Sequence, residues 1–349
     1  EVANVVNRRP APPSAGPDDA EHLLQNDGYI PLLYDVLTTL PPVLALLAVA
    51  LPSSAIASRP AAAVGTGGGV TSAVPAAGPD TLAERIDARL REAGLEEYGI
   101  AYRDLGSGRE ILLNPDAEFH AASTMKVPIM ARLFRMAERG ELSLDDSLRV
   151  TNRFTSIYDS SSYRLSREDD SDPGLYEKVG DRVPIRELVR RMIARSSNLA
   201  TNELIRLADA GATRAMLEGI GAGGLRVLRG VEDIPAYRHG MNNTTTARAL
   251  MELLSALARG DLAGPEATRE MMSILEAQHF NDGIPAGLPD TVDVAHKTGW
   301  ITGIVHDAAV VDPPGAAPYV LVVLTRGDVE AERARRAVAD VSRMIWDAR

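Results

Sequence analysis

"HAASTMKVPIM", His120 to Met130, sets a serine and a lysine three residues apart, Ser123 and Lys126, at the entry to an apolar run. In a helical turn, side chains at i and i+3 are neighbours on one face. The lysine is the uncommon member of the pair, because the chain has 3 lysines against 34 arginines. Arginine cannot give up its proton in a protein, whereas a desolvated lysine amine can act as a base or proton relay. A second lysine, Lys297, stands in "AHKTGW" near the C-terminus, and the third, Lys178, lies in an acidic loop.

The segments around this pair define the fold. Upstream, "DTLAERIDARLREAG" offers Thr81 and Glu84 as a capping box, with Leu82, Ile86 and Leu90 on one face and Gly94 as a stop. "YGIAYRDL" and "REILLN" read as strands joined by the tight turn Gly106 to Gly108, a hairpin. Downstream the pattern turns helical in "TMKVPIMARLFRMAERG", "PIRELVRRMIARSS", "NLATNELIRLADAG" and "TTTARALMELLSALARG". Strand signals return in "DVAHKTG", "GIVHDAAVVD" and "YVLVVLTRG", and "DVEAERARRAVADVSRMIWDAR" closes the chain as a helix. The order predicts an α+β fold: an antiparallel sheet of about five strands, flanked by the N- and C-terminal helices on one face. An all-helical subdomain over about residues 120–257 is inserted between the second and third strands, and the cleft between the two lobes is the natural ligand site.

The first eighty residues read differently. Val43 to Leu51 is an uninterrupted apolar run of nine residues between Pro42 and Pro52, too short to span a bilayer but suited to the apolar core of a secretory signal. "AIA" at Ala55 to Ala57 has the small-x-small form of a cleavage site and predicts a mature start at Ser58. These residues, 1–57, are expected to be a leader that sends the protein to the periplasm or outside the cell. Residues 58–79 are Ala/Gly/Pro-rich and are expected to be a linker, and residues 80–349 the catalytic domain.

Composition narrows the chemistry. A formal charge of −11 and a pI near 5.1 argue against a nucleic-acid or anionic-membrane surface. The chain has no cysteine, which excludes disulfides, zinc-thiolate sites and thiol catalysis, and its six histidines form no pair with metal-ligand spacing. Neither a cofactor nor a metal is expected, and the protein is expected to be a monomer acting on a small molecule. A serine hydroxyl needs a base to become a nucleophile, and a helix N-terminus would place N–H groups and positive dipole beside Ser123. Alone, Ser123 and Lys126 read more readily as a capping serine and a surface lysine. Two further pieces follow in order: "RSSNLATNEL", with Ser196 and Asn198, and "AHKTGW", with Lys297, Thr298 and Gly299. Between them "RGVEDIPAYRHGMNNTTTARAL" is a loop containing Glu232.

S-x-x-K, S-x-N, a loop glutamate and K-T-G in this order resemble the class A β-lactamases and their penicillin-recognising relatives over about residues 80–349. The resemblance implies that Ser123 is acylated with Lys126 as its proton partner. It implies that Ser196 relays a proton to the departing nitrogen beside Lys297, and that Asn198 binds the substrate's amide side chain. Lys297 and Thr298 would hold the substrate carboxylate, the N–H groups of Ser123 and Trp300 would form an oxyanion hole, and Glu232 would activate the deacylating water. The implied substrate is a β-lactam or a D-alanyl peptide. The alternatives are a D-alanyl-D-alanine peptidase or esterase-like hydrolase, and a sensor that is acylated without turnover. Asn198 and Asn202 also read as loop pins, Glu232 as a solvated carboxylate, Trp300 as a rim aromatic, and His296 and His306 as packing residues.

The chain departs from the family pattern at several places. The middle motif is Ser196-Ser197-Asn198, where S-D-N is usual. Ala236 stands four residues after Glu232, where an asparagine usually helps to hold the deacylating water. The loop from Glu232 to Asn243 reads as short, and "GWITGIVHDAA" lacks the arginine that commonly assists carboxylate binding.

Overall fold

The structure, a computed structural model, describes residues 81–349. The apolar run Val43 to Leu51, the cleavage after Ala57 and the linker lie outside the described residues.

Helix α1 (Leu82–Glu92) starts where the capping box places it: the Thr81 hydroxyl accepts the Glu84 N–H, and the Glu84 carboxylate accepts the Thr81 N–H. It ends just before Gly94, whose φ of +80° is the left-handed conformation that glycine supplies without strain. Strands β1 (Glu97–Asp104) and β2 (Glu110–Leu113) follow as the hairpin. The other sheet strands come from the end of the chain: β3 (Asp293–Ile301), β4 (Ile304–Asp312) and β5 (Tyr319–Arg326). The spatial order is β2-β1-β5-β4-β3, every neighbour antiparallel, with Ile100 opposite Val323, Ala308 opposite Val322 and Lys297 opposite Ala308.

Strand β5 is an unbroken apolar run because both of its faces are covered. Tyr319, Leu321 and Val323 face α1 and the C-terminal helix α9 (Ala331–Asp347), packing with Ile86, Leu90, Val338, Val341 and Ile345. Val320, Val322 and Leu324 alternate to the other face and join the core of the inserted segment. That insertion holds α2 (Lys126–Glu138), α3 (Ile185–Ala194), α4 (Asn198–Ala208), α5 (Ala210–Gly219), α6 (Ile234–Arg238), α7 (Ala247–Arg259) and α8 (Pro265–Glu276).

The helical segment thus extends past residue 257 to Glu276. The insertion, expected to be all-helical, also carries three two- or three-residue ladders, such as Phe119–His120 with Thr244–Thr245. Strands so short show no period in the sequence.

One buried side chain ties the sheet to the segment leading into Ser123. His306 of β4 accepts the Thr325 N–H at Nδ1 (3.2 Å) and donates from Nε2 to the His120 carbonyl (3.0 Å). The bond at Nδ1 requires the neutral ring, since a protonated ring donates from both nitrogens, and burial holds the His306 pKa down to about 4 from 6.5. The unfolded chain therefore takes the proton first. The contribution of His306 is complete above pH 6.5 and is lost as pH falls toward 4, a change of about 3 kcal/mol. His306→Gln, which can keep one donor and one acceptor, should narrow the gap between urea midpoints measured at pH 7 and at pH 4.5; an unchanged gap would assign the acid sensitivity to other groups.

Candidate active site

Ser123 sits in a 3-10 turn, Ala122–Met125, that runs directly into α2. The turn lies against β3 at the junction of the two lobes: a Cβ on Gly299 would stand 3.1 Å from the Ser123 N and 3.2 Å from both Ala122 Cβ and Thr124 Cγ2. A side chain here would crowd the serine backbone by a few tenths of an ångström, so glycine lets the K-T-G strand approach it this closely. A cavity of about 270 Å3 opens here, lined by Ser123, Asn198 and Glu232 with Tyr237, Trp300 and Ile301 at its rim.

Lys126 lies beneath that cavity with no exposed surface. Its Nζ donates to the Ser196 carbonyl (2.6 Å), to Ser196 Oγ (3.1 Å) and to Asn198 Oδ1 (2.9 Å). The sequence spacing points the lysine at Ser123; in the folded chain its three partners all come from the S-x-N turn. Burial pulls the amine down to about 7 from 10.5, against the opposing influence of Asp170 and Glu232. A neutral amine keeps two donors for the Ser196 carbonyl and Asn198, and its lone pair is then free to take a proton. Lys297, on β3, is equally buried, with its ammonium on the Thr298 carbonyl (2.8 Å). Burial, then the nearby Lys126 charge, holds its pKa well below the ordinary value, while Asp307 acts the other way.

Glu232 is half-buried, and burial raises its carboxyl pKa against a hydrogen bond from the Ser166 backbone, with Asp169 and Asp170 adding to the rise and Lys126 opposing it. Its loop is held on both sides. Asn202 accepts the Val231 N–H (2.7 Å) and donates to the Val231 carbonyl (3.0 Å), so Asn202 is a loop pin. Asp233, fully buried, caps α6 through the Ala236 N–H and accepts the Ile157 N–H at 2.9 Å. Ala236 is itself fully buried in α6 and brings no amide to the cavity. Of the six described non-glycine residues with positive φ, three are Ala122, Ser196 and Glu232. Backbone strain of this kind persists where the surroundings over-determine it, as at binding and reaction sites.

Other expected residues fall elsewhere. Thr298 alternates to the far face of β3, where its Oγ1 is buried without a partner in a smaller cavity shared with Gly299, Asp307 and Val338. The Trp300 ring is 52% exposed at the rim. His296 is buried in hydrogen bonds to Asp307 and Asn281 (both 2.9 Å), a packing role like that of His306. Two residues were not legible as part of the site. Arg229 is the arginine that does line the cavity, its guanidinium 5.4 Å from the Tyr237 ring. Asp170 accepts the N–H groups of Asn198 and Leu199 from a loop 28 positions upstream of Asn198. Among the described residues no cluster of three or more His, Asp or Glu is placed to hold a metal, and no helix is long and apolar enough to cross a membrane.

The comparisons with known proteins bear on the family and the fold. The description "Beta-lactamase enzyme family" matches residues 81–348. The chain is 31% identical over 312 residues to the beta-lactamase AST-1 of Nocardia asteroides, covering 87% of this chain and 94% of that protein. An ancestral class A beta-lactamase, that of the last common ancestor of Gram-negative bacteria, superposes with a TM-score of 0.64 at 28% identity, covering 77% of this chain and all of the other. A mutant of PBP-A, solved as its acyl-enzyme complex with penicillin G, does so with a TM-score of 0.64 at 26% identity over 76% of this chain and 95% of its own.

The close approach at Gly299 gives a direct test. Gly299→Ala should push the Ser123 turn by a few tenths of an ångström and slow covalent labelling by benzylpenicillin roughly tenfold, with the far-ultraviolet circular dichroism retained. Wild-type labelling in this variant would show that the turn tolerates the displacement.

Proposed function

The chain belongs to the beta-lactamase enzyme family, and we propose that it opens the β-lactam ring through a covalent acyl intermediate on Ser123. The observation that carries this reading is the buried Lys126 amine, brought to a pKa of about 7 on the turn that follows Ser123 and hydrogen-bonded to Ser196 and Asn198.

In the proposed sequence neutral Lys126 takes the Ser123 hydroxyl proton as Oγ attacks the lactam carbonyl carbon. The N–H groups of Ser123 and Trp300 receive the developing oxyanion. The C–N bond then breaks, and Ser196, which shares a hydrogen bond with Lys126, passes a proton to the departing nitrogen. Water attacks the resulting ester carbonyl with Glu232 taking its proton; as the C–Oγ bond breaks, that proton passes on to Ser123 Oγ, which regenerates the serine hydroxyl and the Glu232 carboxylate. The raised carboxyl pKa of Glu232 makes it the stronger base for that step. Arg229, on the cavity wall, supplies a cation for the substrate carboxylate; Lys297, whose pKa burial and the Lys126 charge hold low, would be drawn to its protonated form by the substrate's negative charge. The reading includes export of the catalytic domain by cleavage after Ala57, which N-terminal sequencing of the secreted product tests.

A second reading has a specific observation behind it. Ala236 offers no amide to hold a water beside Glu232, which favours a penicillin-binding peptidase or sensor that acylates and deacylates slowly.

Intact-mass time courses with excess benzylpenicillin separate the two. A transient adduct that returns to the free mass as hydrolysed product accumulates is the outcome for a β-lactamase; a persistent adduct is the outcome for the second reading. Ser123→Ala should lose the adduct, and labelling that persists in this variant sinks the assignment. Lys126→Arg keeps a cation but cannot give up its proton, and should slow acylation by about 10²-fold or more. Glu232→Gln should acylate normally and slow deacylation by about 10²-fold or more, and unchanged turnover would reduce Glu232 to a loop carboxylate.

A further inference from the structure

We propose that Asp170, carried by the loop 166–174 and outside every recognisable motif, is a positioning residue for this reaction: it holds Asn198 and Lys126 in place of the aspartate that the S-x-N motif lacks. This rests on the acyl-serine reading above. The middle residue of the motif is Ser197, fully buried, whose hydroxyl caps only the Ala200 N–H at 3.3 Å. The first N–H groups of a helix have no partner within it, and those of Asn198 and Leu199 would be stranded below the cavity. Asp170 takes both, at 3.1 Å on Oδ1 and 2.8 Å on Oδ2. A negative group at a helix N-terminus is favoured by the dipole as well as by the hydrogen bonds.

The carboxylate is itself over-determined. Only 5% exposed, it also accepts the Asp172 N–H (3.0 Å) and the Tyr176 hydroxyl (3.1 Å). The two residues after it brace the same turn. The Ser171 hydroxyl donates to the Arg195 carbonyl (2.7 Å) and the Ser196 carbonyl (3.2 Å), the latter being the carbonyl that also accepts Lys126. Buried Asp172 pairs with Arg191 (2.8 Å) and Arg195 (3.3 Å) on α3 and its end. Residues 170–172 thus wrap the back of the turn whose front meets the substrate, and hold Ser196 at its strained φ of +56°.

Two consequences reach the reacting groups. Fixing the Asn198 backbone aims its Oδ1 at Lys126. The Asp170 charge also raises the proton affinity of Lys126, as Glu232 does, against burial; Lys297 is the neighbouring buried amine. The loop therefore sets both where the amine sits and the pH at which it becomes a base, functions that the middle residue of the motif does not provide here.

Acylation rates by benzylpenicillin, read from intact mass between pH 5 and 9 on the full chain, test this with Asp170→Asn, Asp170→Ala and the double variant Asp170→Ala with Ser197→Asp. Acylation of the wild-type Ser123 checks the premise separately. Removing the negative charge lets the Lys126 proton leave more easily, so the acidic limb of the profile should move to lower pH in both single variants. Asp170→Ala should also slow acylation at pH 7 roughly tenfold, the scale of a lost helix cap. Asp170→Asn keeps the size and one acceptor and guards against a folding defect in the alanine variant. Ser197→Asp should recover part of the lost rate. A wild-type rate and an unmoved limb in Asp170→Asn overturn the proposal. So does a slowed rate with an unmoved limb, which would leave Asp170 as a structural support only.

Discussion

A single buried amine organises the molecule's working end. Lys126 Nζ has no contact with bulk water and meets three oxygens on the S-x-N turn, from Ser196 and Asn198. Isolating an ammonium from water costs several kcal/mol even after relaxation, so the group sheds its proton readily and becomes available as a base near neutrality. The same isolation constrains its neighbours. Each oxygen around it must be held where the amine can reach it, which requires a turn strained at Ser196 and braced from behind by the Asp170 loop.

The two lobes supply what a single layer could not. The sheet is covered on both faces, with α1 and α9 on one side and the inserted helices on the other, so its edge strand β3 ends at a rigid junction. Along that edge Lys297 turns toward the helical lobe while Thr298 turns to the cavity behind. Gly299 lets the strand come against the Ser123 turn. The His306 ring ties β4 to the carbonyl of His120, three residues before Ser123. A serine on a short turn is thus positioned by the packing of two domains' worth of core. That is how a side chain on a short turn becomes precise in position without being buried.

Much of this was legible in the sequence, for physical reasons. The α1 capping box, the Gly94 stop, the hairpin and the three late strands are local signals, set by hydrogen-bonding side chains and by two-residue or helical periods. Ser123, Lys126, Ser196, Asn198, Glu232 and Lys297 were singled out by their order and spacing; Ser123, Asn198 and Glu232 line one cavity, and Lys126 is hydrogen-bonded to Ser196 and Asn198. The short ladders were not legible, because two residues carry no period, and α8 was missed at the C-terminal limit of the helical segment. The partners of Lys126 were not either: the spacing pointed at Ser123, whereas the contacts come from a turn 70 positions away. Asp170 lay hidden in the acidic stretch "SREDDSD", which reads as a solvated loop until folding places one carboxylate under α4. The departure at Ser197 was the available clue, since it showed that some other group must satisfy the helix start.

The central claim is that burial leaves Lys126 able to lose its proton near neutrality, and lysine-selective carbon-13 NMR tests it most directly. With 3 lysines in the chain, labelling the Cε carbons gives three signals, and Lys126→Arg and Lys297→Arg assign two of them. Exposed Lys178 serves as the internal reference. The account predicts that the Lys126 signal titrates near pH 7. A Lys126 signal that stays protonated to pH 10 would contradict it, because the amine would then be a fixed cation and the base for Ser123 would have to be another group.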